Sequence, residues 1–576
     1  MTTTTSASTT LSDADAALLA LAARSRAQLT SPGAPFELHS VDVAGTPLLA
    51  YRNAFATLPA LLDAGRAHGE REFLVFDDER WTFAQFFSAA DALAVHLQTT
   101  YGVLPGQRVA IAMRNRPQWA VTFVAVALTG AVPAPLNSFG LREELLSGLQ
   151  ALQACLLIAD HDRLAHVQAD LPALQLPCLC VDDAQGQVSR AWQDASAAGA
   201  KSFTPPVLST QDPALILFTS GASSQAKGVV SSHRAVCQGL FNIDFIGAMS
   251  AMTSPDIVAA MMARALPPTT LTAVPLFHVS GLHAQLLTAL RHGRRLVFMR
   301  RWNPQQALAL IQKERITQFN GAPSMVMQLL AEPGFDDPAV TGTLGGLGFG
   351  GAGLPQSLVK DVLERRPNSM SGIGFGLTET NGAGAAISGR MFVLRPQAAG
   401  QLSPIISLRI VDTEGADLPP GEAGEIWLRG VSLMDGYWHA DPTQRKALAD
   451  RWFQTGDIGM LDADGYLHVV DRIKDVINRA GEKIASAEIE SCLLAHPQVL
   501  EAAVFAQPDD HTGEAVVAVI VPRAGVALSA ADIQAHVAAH LAAYKVPQRV
   551  VLRTEPLPRN PAGKTLKPAL RTEYAR

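Results

Sequence analysis

Residues 218–233 read FTSGASSQAKGVVSSH, small and hydroxylated side chains that follow the apolar run of residues 213–218 and carry one lysine, Lys227. Asp212 to Ser220 reads as a short buried strand, so the chain beyond it is a loop at a strand end. A Walker-type loop holds glycine directly before its lysine and Ser or Thr directly after. Here those places hold Ala226 and Gly228, which excludes that reading. Two readings stay open: a loop that wraps an anion with N–H groups, hydroxyls and one ammonium, or an ordinary Gly/Ser turn.

Outward from this loop, between about residues 50 and 470, short apolar runs (RVAIAM, LLIAD, ALILF, LTAVPLF, ITQFNG) alternate with helical stretches such as NPQQALALIQKER. That is the pattern of an α/β domain with mixed, mostly parallel sheets, whose ligands sit beyond the carboxyl ends of strands. From 402 to 470 the runs LRIVD, GEIWLRG and YLHVVD, separated by Pro, Gly and Asp, predict a small antiparallel sheet closing that domain. A smaller α+β domain follows, with runs AAVFA, EAVVAVIV and QRVVLR and a helix starting at Ser529 with Asp532 three residues on. The expected division is 1–44 as an N-terminal extension, 45–473 as the large domain and 474–576 as the small one. In the extension, Ser12 and Asp15 predict a capped helix followed by a connector.

The 576 residues exceed what one core usually serves, and 48% hydrophobic with 17% charged residues is globular. A net charge of −6 gives no reason to expect a nucleic-acid partner. The apolar run Trp119 to Pro135 is broken by Gly and Pro, which predicts a buried helix rather than a membrane span. MTTTTSASTT lacks the basic start of a signal peptide. Five scattered cysteines without metal-ligand spacing fit a reducing cytoplasm, the expected location.

Eight islands occur in fixed order: FTSGASSQAKGV at 218, PLFHVSG at 275, FNGAPSM at 319, GGAGL at 350, GFGLTET at 374, WFQTGDIG at 452, DRIKDVINRAGEKI at 471 and LPRNPAGKTLK at 557. Together they resemble the adenylate-forming superfamily of acyl-CoA synthetases, nonribosomal adenylation domains and luciferase-like enzymes, over about residues 50 to 570. The resemblance implies an AMP-forming ligase that uses ATP and Mg²⁺ to make an acyl-adenylate and passes the acyl group to a thiol. It implies that Thr219, Ser220, Gly221, Ser223 and Lys227 grip the β- and γ-phosphates. Gly351 and Ala352 approach the adenine, Phe375 with Gly376 stacks on it, Thr378 binds the α-phosphate and Glu379 holds Mg²⁺. Asp457 binds the ribose with Arg472 beside it, Lys474 is the hinge about which the small domain rotates, and Lys564 is the lysine inserted for adenylation. Gly481 and Glu482 serve the CoA half-reaction.

The amino-acid-activating branch places an aspartate after the Phe of the PLFHVSG-like motif; here His278 follows Phe277. An unpaired ammonium there is costly, so the resemblance favours a plain hydrophobic acid with His278 as a gate, whether fatty, aryl or cyclic. Four methionines (Met249, Met252, Met261, Met262) fall where the family builds acyl pockets. The chain stops about a dozen residues after Lys564, so free CoA is the expected acceptor. A separate carrier protein, or a non-catalytic nucleotide- or acyl-binding member, are the alternatives, and a homodimer is allowed. Ala222, Ser224, Ala226, Phe375 and Ser486 depart from the residues usual in the family at those places, which puts the rate of the first step in question.

Overall fold

The computed structural model describes residues 12–197, 205–219, 227–350, 354–439 and 448–575. Six parallel strands form the middle of the molecule: Glu72–Phe76, Arg295–Phe298, Thr269–Thr272, Gln318–Gly321, Gly346–Gly350 and Gly372–Leu377. The runs between 402 and 470 do not make a sheet of their own. They join Gly382–Ser388 through the short strand Gly400–Leu402, all antiparallel, and continue the same sheet to 13 strands, the other edge being Glu79–Thr82. The physical reason is that Gly372–Leu377 has an open edge, and an unpaired edge is covered by the next strand in sequence. A second, four-stranded parallel sheet carries RVAIAM and LLIAD. ALILF lies in a third, three-stranded antiparallel one.

Trp119 lies in the helix Pro117–Leu128, every residue of which is buried, as the buried helix expected there requires. The helix Asp13–Thr30 has the expected capping box between Ser12 and Asp15. It docks on the large domain through buried Ala22 and through Arg26, which donates to the Leu402 carbonyl at 2.7 Å. The expected connector is the turn-rich stretch 31–37, and it leads into a hairpin, Leu38–Val43 with Thr46–Tyr51. His233–Thr253 is long and apolar enough to cross a bilayer by length alone, but its Val236, Leu240 and Phe245 are core residues. Its Asn242 accepts a hydrogen bond from the buried Tyr51 hydroxyl at 2.8 Å.

Tyr466–Arg472 is the last strand of the large sheet, and a single turn, Ile473–Asp475, separates it from the small domain. There a long hairpin, Val499–Asp509 with Gly513–Pro522, is flanked by the helices Ser486–Leu494 and Ala530–His540. All five cysteines are free. The fold does bring Cys492 within 4.8 Å of donor atoms of His536 and His540, a juxtaposition that sequence spacing did not show. Such nitrogen and sulfur donors suit softer metals than Mg²⁺, which takes oxygen.

Candidate active site

The strands Thr269–Thr272, Gln318–Gly321, Gly346–Gly350 and Gly372–Leu377 end at one cavity of about 1330 Å³, roofed by the small domain. Thr219, His278, Gly376, Thr378, Glu379, Asp457, Arg472, Lys474 and Lys564 all line it. These residues come from both domains and from across most of the chain, and the topology alone collects them. Ser220, Gly221, Ser223, Gly351 and Ala352 lie outside the described residues, as do Ala222, Ser224 and Ala226.

The opening loop joins two strands of a hairpin: Thr219 is the register partner of Lys227, which begins Lys227–Ser232. No helix follows directly, which separates this arrangement from a Walker loop. Val229 and Val230 pair in turn with Tyr437 and Gly436. This register places the Lys227 ammonium 5.3 Å from the centre of the Tyr437 ring. The Tyr437 hydroxyl donates to Glu379 Oε1 at 2.8 Å. Tyr437 was not singled out in the sequence; its only signal there is an aromatic hydroxyl in the DGYW run after GEIWLRG.

Glu379 sits in the turn Thr378–Thr380, clasped at both ends: Thr380 Oγ1 accepts from Leu377 N at 2.9 Å, and Met434 N donates to the Glu379 carbonyl at 2.8 Å. Its carboxyl is buried, and burial raises its pKa against the opposing pull of Tyr437, Lys564 and Lys227. A buried carboxylate with one neutral donor, facing a cavity beside two lysines, fits a hard cation completed by phosphate oxygens. Gly376 explains the glycine of GFGLTET: a Cβ there would overlap the Gly382 carbonyl across the strand pair. Gly376→Ala is expected to destabilise the protein by about 2–3 kcal/mol. Calorimetry checks this, and an unchanged unfolding midpoint would refute it. Phe375 is not part of the cavity wall; it packs with the cluster of Ala385 and Leu428.

Asp457 and Arg472 are register partners on adjacent strands, with Asp457 Oδ1 3.6 Å from Arg472 Nε. Asp457 is only 8% exposed while the Arg472 side chain is 40% exposed, so the carboxylate is buried and the guanidinium reaches solvent. Burial raises its pKa, opposed first by Arg472 and then by Lys564. Lys564 enters from a tight turn in which Asn560 Oδ1 accepts from Lys564 N at 2.9 Å and Gly563 adopts φ +83°. Ser324 of the large domain donates to the Gly563 carbonyl at 3.1 Å, so the turn is pinned at the cavity mouth. Burial, then the Arg472 charge, lowers the Lys564 pKa to about 8, while Asp457 and Glu379 hold it up.

His278 faces the cavity with its Nε2 lacking a hydrogen-bond partner among the described residues. It is half-buried in the cavity wall, and burial, with Lys564 adding, pushes its pKa down to about 3. It is therefore neutral. Lys474 lines the cavity at the interdomain turn, its pKa lowered by burial and then by Arg472. Gly481 and Glu482 are exposed and stand outside the cavity wall. With Ala480 at φ 50° and Gly481 at φ 89°, they close the hairpin Ile477–Arg479 with Glu482–Ile484.

Ser486, one of the departures, has a structural account. It is fully buried, donates to Asp471 Oδ2 at 2.9 Å and accepts from Lys567 Nζ at 2.8 Å, while Lys567 also pairs with Glu490 at 2.8 Å. The hydroxyl thus ties the last strand of the large domain to the small one. Proline fits the first position of this helix but has no hydroxyl. Ser486→Pro should cost about 1–3 kcal/mol through two lost charge-assisted bonds. An unfolding midpoint as high as that of the natural chain would show that the link contributes nothing net.

The profile of the AMP-binding enzyme family matches residues 61–438, and that of the AMP-binding enzyme C-terminal domain matches residues 488–564. The chain belongs to the AMP-binding enzyme family. It is a member of the adenylate-forming superfamily that includes acyl-CoA synthetases. A feruloyl-CoA synthase from Amycolatopsis sp is 32% identical over 86% of this chain and 94% of its own length. An indoleacetate–CoA ligase from Aromatoleum aromaticum is 32% identical over 87% and 94% respectively. Among solved structures, ATP-bound MatB from Rhodopseudomonas palustris superposes with a TM-score of 0.79 at 25% identity, covering 90% of this chain and 99% of that one. Asp457, Arg472 and Lys474 fall between the two matched stretches, at the joint of this AMP-binding enzyme.

Proposed function

We propose that the protein is an ATP-dependent carboxylate–CoA ligase acting on a hydrophobic, aryl-type carboxylic acid. Two steps are required: the acid's carboxylate attacks the α-phosphate of ATP, releasing pyrophosphate, and a CoA thiol then displaces AMP from the acyl-adenylate. The observation that carries this reading is the small-domain Lys564, held inside the large-domain cavity beside Glu379 and Asp457. A cation at that point offsets the repulsion between two approaching anions and the charge that grows on the α-phosphate. The similarity to CoA ligases and synthetases supports the thiol acceptor.

In this reading Lys227 and the loop Thr219, Ser220, Gly221 and Ser223 hold the β- and γ-phosphates. Glu379 holds Mg²⁺, Thr378 the α-phosphate, and Asp457 with Arg472 the ribose. Gly351, Ala352, Gly376 and Phe375 serve the adenine, with Phe375 turning from its present packing to do so. Neutral His278 gates the acyl side. The small domain then rotates about Lys474, withdrawing Lys564 and bringing Gly481 and Glu482 toward the site for CoA. The free cysteines suit a reducing compartment, and the cytoplasm is the proposed location.

The test is pyrophosphate release and acyl-CoA formation from Mg·ATP, CoA and a panel of aryl and alkyl acids. ATP bound without pyrophosphate on any acid would favour a binding protein. Pyrophosphate without acyl-CoA would favour delivery to a carrier protein.

A further inference from the structure

Beyond His278 the cavity continues as a slot between two helical runs. His233–Thr253 presents Ile243, Gly247 and Ser250 to it, and the run from Val279 to His292 presents Ser280, Ala284 and Thr288. Those spacings of three and four put each set on one helical face. A turn of π-helix, Leu282–Leu287, interrupts the second run, as happens often at functional sites. Small side chains on facing helices leave room for an acyl group. The slot does not end in apolar side chains.

Its far end holds Arg294, whose Nη1 donates to Gln318 Oε1 at 3.0 Å. No carboxylate among the described residues lies within ion-pair distance of Arg294. The nearby Asp244 is already engaged by Arg291 and by His292, the latter at 2.7 Å. A guanidinium has five N–H donors, and Arg294 uses one of them on the described residues. Burial lowers its pKa, with Asp244 opposing, so the charge is held in the protein at some cost. The distance to the reacting end follows from the strand. Gln318 begins Gln318–Gly321, and Ala322, next along the chain, abuts Gly563 beside Lys564. Four residues of extended chain span about 13 Å.

We propose that Arg294, steadied by Gln318, is a recognition subsite for an anionic or hydrogen-bond-accepting group at the distal end of the acid, about 10–13 Å from the carboxylate to be activated. The preferred substrate is then bifunctional: one carboxylate at Lys564, an apolar spacer in the slot and a second carboxylate or a phenolic oxygen at Arg294. This rests on the ligase reading above, because it assumes that Lys564 marks the reacting end.

Two matched pairs of acids test it: decanedioic against decanoic acid, and 4-hydroxycinnamic against cinnamic acid, with pyrophosphate release as readout. At least one bifunctional acid should exceed its partner in kcat/KM by about tenfold or more, as a site with a dedicated polar group discriminates. Arg294→Met should remove that preference while leaving the plain acid's kcat/KM nearly unchanged. Equal rates within both pairs, or an equal loss on both members in Arg294→Met, would overturn the proposal. Calorimetric binding of decanedioate and decanoate without ATP keeps the test independent of turnover. If no acid releases pyrophosphate, the ligase reading falls. Arg294-dependent preference for decanedioate in that binding measurement would then uphold the subsite, and equal binding would overturn it. Arg294→Lys, which keeps the charge, should retain part of the preference and guards against misfolding of the methionine variant.

Discussion

Lys564→Ala is expected to slow pyrophosphate release by about 10²–10³-fold, the usual loss when one preorganised charge-stabilising group is removed from a reaction centre. Thioester formation from supplied acyl-adenylate should survive largely intact, because in the proposed cycle the small domain turns and takes the lysine out of the site. The expectation rests on position: Lys564 is held by Asn560 and by the Gly563 contact with Ser324, and it faces Glu379 and Asp457. Its pH dependence has a definite sign. A lysine whose pKa is lowered to about 8 is cationic below that pH and neutral above it. The cation is the working form, so kcat/KM for the adenylation half-reaction, which reports the free enzyme, should fall as pH rises through about 8. Equal loss in both half-reactions, or a profile flat well past that pH, would remove Lys564 from the role assigned to it.

Glu379→Gln should lower adenylation by about 10²-fold, again on the scale of one lost electrostatic contact at the reacting phosphate. Glutamine keeps the oxygen that accepts from Tyr437, so the turn Thr378–Thr380 and its clasp by Met434 should hold. What disappears is the negative charge that a hard cation needs. The distinguishing readout is therefore the Mg²⁺ dependence: the concentration for half-maximal rate should rise in the variant. A lowered rate at an unchanged Mg²⁺ requirement would assign Glu379 to shaping the pocket instead.

Much of the fold was legible because its signals are local. RVAIAM, LLIAD and ITQFNG are β-branched and apolar runs of strand length, and each contains a strand. Ser12 and Ser529 announce helices through capping contacts that reach only three residues along the chain. The runs after 402 carry the signal of antiparallel strands but not that of a continuation of the main sheet. Which edge a strand joins depends on what else is left open, and no short segment carries that information. The same limit hid Tyr437, which touches Glu379 and Lys227 only through the register of two strand pairs.

The order of the islands, from the hydroxyl-rich loop at 218 to Lys564, determined by itself the family, the two-domain plan and the residues to look for, since each island is a contiguous run. Only the tertiary structure decided that Lys564 enters the cavity of Glu379 and Asp457 while Gly481 and Glu482 stay outside it. It also turned Ser486 from an oddity into an interdomain hydrogen bond and set Arg294 in the wall of the cavity that His278 lines. Burial and charge compensation arise between residues far apart in the chain. A lysine titrating near pH 8, a neutral histidine and an arginine with one side-chain bond among the described residues therefore become chemistry only once the fold has placed their neighbours.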